Sequence, residues 1–150
     1  MSLRTLRTHA PIWLAAGAMA ILIAACGSSA TPVPTAAPVP ATVTVASTSL
    51  GNALVGPNGH TLYTFDHDTT AGASACTSSG CMSTWPALTA AGTPTAGSGA
   101  SGTLATFNRT DINAAQVSYN GKPLYYYAPD ANVGDVKGDG VGGVWHVAKP

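Results

Sequence analysis

Two copies of one short pattern place a tyrosine, a second aromatic residue and an aspartate at the same spacing. The pattern is Asn-Gly-x-x-Leu-Tyr-x-aromatic-x-x-Asp, and its copies begin 62 residues apart. The residues that could do chemistry are Tyr63, Phe65 and Asp68 in the first copy and Tyr125, Tyr127 and Asp130 in the second. Two rings on one face of a strand, followed by a carboxylate, could form a platform for a ligand.

A structural role for the same pattern is the alternative. The rings would then fill a core, and the carboxylate would accept backbone N–H bonds in the turn after the strand. Structural repeats duplicate a spacing in this way. Phe65 in place of a second tyrosine also indicates that no hydroxyl is required at that position. We therefore expect the aromatic faces to point inward.

Histidine, methionine and cysteine side chains could bind copper or haem in an extracytoplasmic protein. The candidates are His60, His67, His146, Met82, Cys76 and Cys81. Neither His60 nor His67 has a histidine at the equivalent position of the second copy, and no H-x-H or H-E-x-x-H pair occurs. Scattered surface histidines are the simpler interpretation, so the sequence predicts no metal ligands and no cofactor.

The loop over residues 130–143 carries two weak signals. Residues 138–143 match G-x-G-x-x-G by letter, but a dinucleotide site needs a strand before this segment and a helix after it, and here a strand is predicted to follow. The Asp135–Gly140 spacing resembles a calcium loop in which Lys137 occupies a ligand position. Calcium bound by another arrangement of Asp130, Asp135 and Asp139 stays open.

The composition argues against an enzyme and against a nucleic-acid-binding protein. The chain contains no Glu and no G-x-S-x-G sequence, and its charged residues make up 8% against about 25% in ordinary domains. Without Arg4 and Arg7, which lie in the leader described below, four Lys and Arg face six Asp, a net charge of −2. No basic patch remains to bind a phosphate backbone. The sequence therefore predicts no catalytic residues.

Residues 1–25 are predicted to form a lipoprotein signal peptide. Arg4 and Arg7 give a positive beginning, and a 14-residue apolar run follows over residues 12–25. This run is short for a membrane-spanning helix. It ends in Ile-Ala-Ala-Cys, which resembles the bacterial lipobox. That resemblance implies cleavage before Cys26 and attachment of lipid, including a palmitate-type acyl chain, to this residue, which would anchor the mature protein to the membrane.

Residues 26–41 are predicted to be a linker between the lipid anchor and the folded domain. The segment over residues 27–40 contains four prolines and no charged or aromatic residue. Such a sequence cannot bury enough apolar surface to fold, and its prolines favour an extended conformation. We expect a stalk that holds the domain away from the membrane.

Lipidation of Cys26 would leave two cysteines in the exported chain. Cys76 and Cys81 are five residues apart, and an oxidising compartment favours a disulfide between them. A thiolate metal site or a redox dithiol is the alternative. The spacing is not C-x-x-C, and no second cysteine pair completes a zinc site.

Residues 42–150 are predicted to form one β domain with two repeats, at about residues 50–90 and 112–150. Strands are expected at residues 41–46, 54–55, 61–65, 85–88, 104–107, 116–119, 124–127 and 144–148. Two Asn-Gly turns are expected to close hairpins, with a three-residue loop in the first copy. Residues 66–81 are expected to form a loop, and residues 89–103 a flexible connection between the repeats. The predicted fold class is all-β, a small sandwich or irregular barrel of two similar hairpin-plus-strand repeats.

Over roughly residues 50–150 the chain resembles a family of bacterial secreted and lipoprotein repeats of unknown function. That family is recognised by Tyr-x-aromatic-x-x-Asp, which matches both copies here. Cys76, Cys81, Trp85-Pro86 and the terminal Val144-Trp145-His146 are further family-like features. The family pattern has three residues between the cysteines, whereas this chain has four. The resemblance implies a location and a domain type and does not imply an activity.

The function that the sequence favours is that of a membrane-anchored extracytoplasmic lipoprotein, a non-enzymatic structural or binding module. Its expected partners are the membrane, through the lipid, and an unidentified envelope or extracellular molecule. The alternative is an extracytoplasmic redox or metal-handling protein of electron-transfer or copper type. Glycan binding through an exposed Tyr126 is a third possibility.

Overall fold

The computed structural model of the protein describes residues 40–150. The predicted signal peptide, Cys26 and nearly all of the predicted linker lie outside these residues. The described part contains eight short strands, one short α-helix and one turn of 3₁₀ helix. Their bounds are β1 Thr42–Thr48, β2 Gly51–Val55, β3 Tyr63–Phe65, α1 Ser79–Thr84, β4 Thr95–Ala96, β5 Leu104–Arg109, β6 Ala114–Tyr119, β7 Lys122–Pro123, the 3₁₀ turn Val141–Gly143 and β8 Trp145–Val147.

The first sheet has the strand order β2-β1-β4, with β1 antiparallel to β2 and parallel to β4. Strand β1 forms because its β-branched residues alternate between the two faces, and Val43 is fully buried. Strand β4 lies within residues 89–103, so the prediction of a flexible connection there was wrong. The small residues of this segment let it approach β1 closely, and a Cβ atom on Gly99 would lie 2.9 Å from Cβ of Val45.

The second sheet has the order β5-β6-β7 and contains the second Asn-Gly turn. Asn120 and Gly121 both have positive φ, at 51° and 80°, as a two-residue type I′ hairpin requires. Pro123 pairs with Ser118 on the edge strand, where its missing N–H removes no bond. The first Asn-Gly turn is one residue longer, because Gly56 N–H bonds to the carbonyl of His60 around a three-residue loop. Both predicted hairpins are confirmed, and so is the three-residue loop of the first.

The centre of the fold is a ribbon in which the two repeats alternate. Strand β3 of the first repeat pairs with β8 of the second repeat, with Phe65 opposite Trp145. On its other side, Tyr63 exchanges two backbone hydrogen bonds with Tyr125, at 2.8 and 3.0 Å. Residues 124–127 then bond to residues 84–88 of the first repeat, and Tyr126 N–H donates to the carbonyl of Pro86 at 2.8 Å.

This pairing makes each motif strand neighbour the tryptophan segment of the other repeat. An approximate two-fold axis therefore passes between Tyr63 and Tyr125, and the repeats are interleaved. The all-β prediction is confirmed, with three small sheets and no closed barrel within residues 40–150. In this part of the chain, none of the helices has both the length and the apolar character that crossing a membrane requires.

The buried side chains form two clusters of different composition. The first is mainly aliphatic and includes Val43, Leu54, Leu62, Val117 and Leu124. The second is mainly aromatic and contains Tyr63, Trp85, Tyr125, Trp145, Val147, Ala53 and Cys76, with Phe65 and Tyr127 packed against it. The alternation of side chains along the motif strands separates the clusters, since neighbouring residues point to opposite faces.

Helix α1 was not expected, because the segment up to Cys81 was predicted to be a loop. Six residues, five of them of low helix propensity, give little periodic signal. The side chain of Ser78 caps the helix by accepting a hydrogen bond from Cys81 N–H at 3.3 Å. A disulfide joins Cys76 to Cys81, with 5.5 Å between their Cα atoms, and so ties the loop to the first turn of the helix.

Replacing both Cys76 and Cys81 by serine is expected to lower the free energy of unfolding by about 2 kcal/mol. The loop is short, so the constraint on the unfolded chain is modest. Urea unfolding of the full-length protein measures the change. Thr77→Ala is the control, because Thr77 is exposed between the same cysteines and its loss should cost less than about 0.5 kcal/mol. Equal stability of the serine variant and the wild type would contradict the expectation.

Candidate functional site

The tyrosine and aspartate of the repeated motif pair across the repeats and not within them. Tyr63 Oη donates a hydrogen bond to Asp130 Oδ2 at 2.6 Å. Tyr125 Oη donates to Asp68 Oδ2 at 2.8 Å. The approximate two-fold axis between the motif strands produces this exchange. Each copy of the motif therefore supplies the hydroxyl to one pair and the carboxylate to the other.

The second oxygen of each carboxylate holds the loop that follows its strand. Asp68 Oδ1 accepts from Ala75 N–H at 2.7 Å, and Asp130 Oδ1 accepts from Lys137 N–H at 3.1 Å. Ala75 and Lys137 are again 62 residues apart, so the loop closure belongs to the repeat. A backbone N–H donor does not depend on the type of residue, so residue types could not predict this loop closure. The equal length of the loop in the two copies is the one sequence feature that could have revealed it.

Two further contacts differ between the tyrosine–aspartate pairs. Ser74 Oγ lies 2.6 Å from Tyr125 Oη and is the donor there, because the Tyr125 proton is directed at Asp68. Gly138 N–H lies 3.3 Å from Tyr63 Oη. A Cβ atom on Gly138 would lie 2.8 Å from a ring carbon of Tyr63 and 2.9 Å from one of Trp85, so only glycine fits without displacement.

Burial decides the ionisation of these groups. It raises the pKa of Tyr63 and of Tyr125 well above the ordinary range of a phenol, and the neighbouring carboxylates raise the pKa of both further. Burial also raises the pKa of Asp68, although the bonds from Ala75 and Tyr125 oppose that shift. Both tyrosines are therefore neutral hydrogen-bond donors at physiological pH.

Four aromatic rings form a continuous stack beside the two pairs. In order they are Phe65, Trp145, Trp85 and Tyr127, with ring centroids 4.1, 3.8 and 4.3 Å apart. The two indole rings are nearly parallel, at 3°, and lie at the two-fold axis. We call these four residues the aromatic stack. Successive members come from alternating repeats, so the stack joins the repeats as the ribbon does.

Each tryptophan of the aromatic stack also meets a motif tyrosine edge-on. The rings of Tyr63 and Trp85 are 5.5 Å apart at 73°, and those of Tyr125 and Trp145 are 5.2 Å apart at 88°. This edge-to-face arrangement is favourable for aromatic pairs.

Tyr126, on the opposite face of its strand, is half-buried against the aliphatic cluster, and burial raises its pKa to about 12. It does not present the free ring that glycan binding through Tyr126 requires.

Two of the histidines in the described residues contact neighbouring side chains of other types. His146 Nε2 lies 3.0 Å from Asp66 Oδ2, and the rings of Phe65 and His67 are 4.8 Å apart. Over residues 40–150 no three His, Cys, Asp or Glu side chains are grouped so that they could hold a metal ion. Asp66 and Asp68 have different partners, because Asp68 turns toward Tyr125.

The three aspartates considered for calcium are directed to separate partners. Asp130 binds Tyr63 and the Lys137 backbone. The side chain of Asp135 accepts from Asn132 N–H and from Lys137 Nζ, at 3.1 and 2.7 Å. Asp139 Oδ1 accepts from Val147 N–H at 2.9 Å. Their hydrogen bonds shape the loop and fix strand β8.

A buried arginine cluster was missed by the sequence reasoning. The Arg109 guanidinium donates to Asp111 Oδ1 at 2.7 Å, to Gln116 Oε1 at 2.6 Å and to the Cys76 carbonyl at 2.8 Å. Gln116 Nε2 in turn donates to the Leu124 carbonyl at 2.9 Å. Arg109 is only 5% exposed. One of its partners, the Cys76 carbonyl, lies 33 residues away, so no local pattern shows that Arg109 is buried.

The fold and the site define a two-repeat all-β domain held together by reciprocal tyrosine–aspartate pairs. A family model described as a secreted repeat of unknown function matches residues 44–89 and 106–149. The chain belongs to this family of secreted repeats, and the protein is extracytoplasmic. Searches of curated proteins and of solved structures found no match to the chain.

Proposed function

We propose that the protein is a lipid-anchored extracytoplasmic module with a structural or binding role and no catalytic activity. The observation that carries this proposal is the reciprocal pairing of Tyr63 with Asp130 and of Tyr125 with Asp68. These pairs use the motif's own hydroxyl and carboxylate groups to join the repeats and close the loops. The motif therefore has a structural role, which is to hold the two repeats of the domain together.

The anchor and the stalk belong to the same proposal. The Ile-Ala-Ala-Cys sequence ending at Cys26 has the residue types that bacterial lipoprotein processing needs, and the linker follows it directly. Strand β1 begins at Thr42, so the folded domain starts where the proline-rich sequence ends. The lipid holds one end of the stalk at the membrane, and the domain at the other end meets an envelope or extracellular partner.

The lipid anchor is tested by labelling cells with a radioactive or clickable palmitate analogue. The wild type is expected to be labelled and to remain with the membrane fraction, whereas Cys26→Ala loses the label. The matched control is the Cys76→Ser/Cys81→Ser variant, which removes the other two cysteines and keeps Cys26. Labelling of Cys26→Ala at the wild-type level would contradict the anchor.

The absence of catalysis is tested with the full-length protein against panels of hydrolase and oxidoreductase substrates. No turnover is expected in the wild type. Turnover that disappears in Asp130→Asn or Tyr125→Phe, while circular dichroism shows the fold retained, would contradict the proposal. Such a result would mean that the buried tyrosine–aspartate pairs act on a substrate and do not only stabilise the domain.

A further inference from the structure

The aromatic stack runs through the domain between two partly exposed ends. Trp85 and Trp145 are 4% and 5% exposed, while Phe65 and Tyr127 at the two ends are only half-buried. All three ring-to-ring steps are between 3.8 and 4.3 Å. Here the polarisable, oxidisable indole rings are placed in face contact at the centre.

A proton acceptor accompanies each buried tyrosine that touches the stack. Tyr63 meets Trp85 edge-on and donates its hydroxyl proton to Asp130 at 2.6 Å. Tyr125 meets Trp145 edge-on and donates to Asp68 at 2.8 Å. If an electron leaves the tyrosine ring, the phenolic proton can move directly across this hydrogen bond to the carboxylate.

We propose that the aromatic stack and its two tyrosine–aspartate pairs form a one-electron relay that moves oxidising equivalents from the surface to a buried tyrosine. A one-electron oxidant of high potential, such as an oxygen-derived radical or an oxidised metal complex, takes one electron from a stack indole. Tyr63 or Tyr125 returns an electron to that indole. Its phenolic proton moves at the same time to Asp130 or Asp68. The products are the reduced oxidant, a neutral tyrosyl radical and a protonated carboxyl group.

The environment favours this coupled transfer over simple ionisation. Burial disfavours the phenolate, so the tyrosine cannot lose its proton first. Once the electron leaves, the ring becomes a strong acid, and the carboxylate accepts the proton across a bond that already exists. A small external reductant of the thiol or enediol class then supplies one electron, and the proton returns from the aspartate. The relay does not depend on the lipid anchor or on any partner, so it goes beyond the function proposed above.

The relay is tested by flash photolysis of the full-length protein in detergent, with a ruthenium(III) tris-bipyridine complex as the oxidant. The wild type is expected to form a neutral tyrosyl radical, observed by transient absorption and by electron paramagnetic resonance. The Tyr63→Phe/Tyr125→Phe variant is expected to lose that signal and to show a tryptophan radical in its place. The matched control is Tyr126→Phe, which removes a hydroxyl from the same strand but from the opposite face and should keep the signal.

A second measurement needs no variant. Because the proton moves with the electron, tyrosyl formation in the wild type should be slower in heavy water than in ordinary water. Two results would overturn the proposal. One is a tyrosyl signal that survives in Tyr63→Phe/Tyr125→Phe and disappears in Tyr127→Phe, which means direct oxidation of an exposed ring. The other is equal formation rates in the two solvents.

Discussion

Replacing Trp145 by alanine is expected to lower the free energy of unfolding by about 4 kcal/mol. Trp145 is 5% exposed and lies in face contact with Trp85 and with Phe65, at 3.8 and 4.1 Å. Removing the indole takes away both stacking partners at the two-fold axis and leaves a cavity between the repeats. Because domains of this size are only marginally stable, a loss of this magnitude removes a large part of the total stability.

Urea unfolding followed by circular dichroism measures this change. Val133→Ala is the control, because Val133 is 67% exposed and its truncation should change the stability by less than about 0.5 kcal/mol. Trp145→Phe should fall between the two, since a smaller ring keeps part of the stack. A Trp145→Ala variant as stable as Val133→Ala would show that the aromatic stack does not hold the repeats together.

Replacing Asp130 by alanine is the second large effect, an expected loss of about 3 kcal/mol. Asp130 is 6% exposed and accepts from both Tyr63 Oη and Lys137 N–H. Truncation leaves a fully buried hydroxyl and a loop N–H without their acceptor. A buried donor left unpaired costs more than an average hydrogen bond contributes, so the two losses together exceed the effect of the missing contacts alone.

The control for this variant is Asp135→Ala, which removes a carboxylate of the same charge from the same loop. Asp135 accepts from the Lys137 ammonium and from Asn132 N–H, and both of these bonds are exposed to solvent, where they contribute less than buried ones. The expected loss is therefore much smaller than for Asp130→Ala. Thermal unfolding of both variants and the wild type gives the comparison. Equal losses would mean that loop charge, and not the bond to Tyr63, accounts for the effect.

The local structure could be predicted from the sequence wherever a short pattern of residues determines it. Alternating β-branched residues predicted strand β1, and each Asn-Gly turn predicted its hairpin because few residues accept positive φ. Strand β4 was missed because Ala, Gly and Thr are common in loops, although their small size is what lets residues 95–96 lie against β1. Helix α1 was missed because six residues are too few to show a period.

The pairing across repeats could not be predicted from one sequence. A spacing of 62 residues says that two units are alike, but it does not say whether Tyr63 meets Asp68 of its own unit or Asp130 of the other. That choice depends on the two-fold axis between Tyr63 and Tyr125, which arises only when the motif strands pair. For the same reason the sequence predicted two similar repeats in a small sandwich or irregular barrel but did not predict that the repeats interleave. Arg109 is a third example, because it also donates to the Cys76 carbonyl, which lies 33 residues away.

A double-mutant cycle tests the reciprocal pairing most directly. The cross-repeat pair is Tyr63→Phe with Asp130→Ala, and the within-repeat pair is Tyr63→Phe with Asp68→Ala, each measured by urea unfolding of single and double variants. We predict a coupling free energy of about 1–2 kcal/mol for the cross-repeat pair and less than about 0.5 kcal/mol for the within-repeat pair. A larger coupling between Tyr63 and Asp68 than between Tyr63 and Asp130 would contradict the interleaved fold.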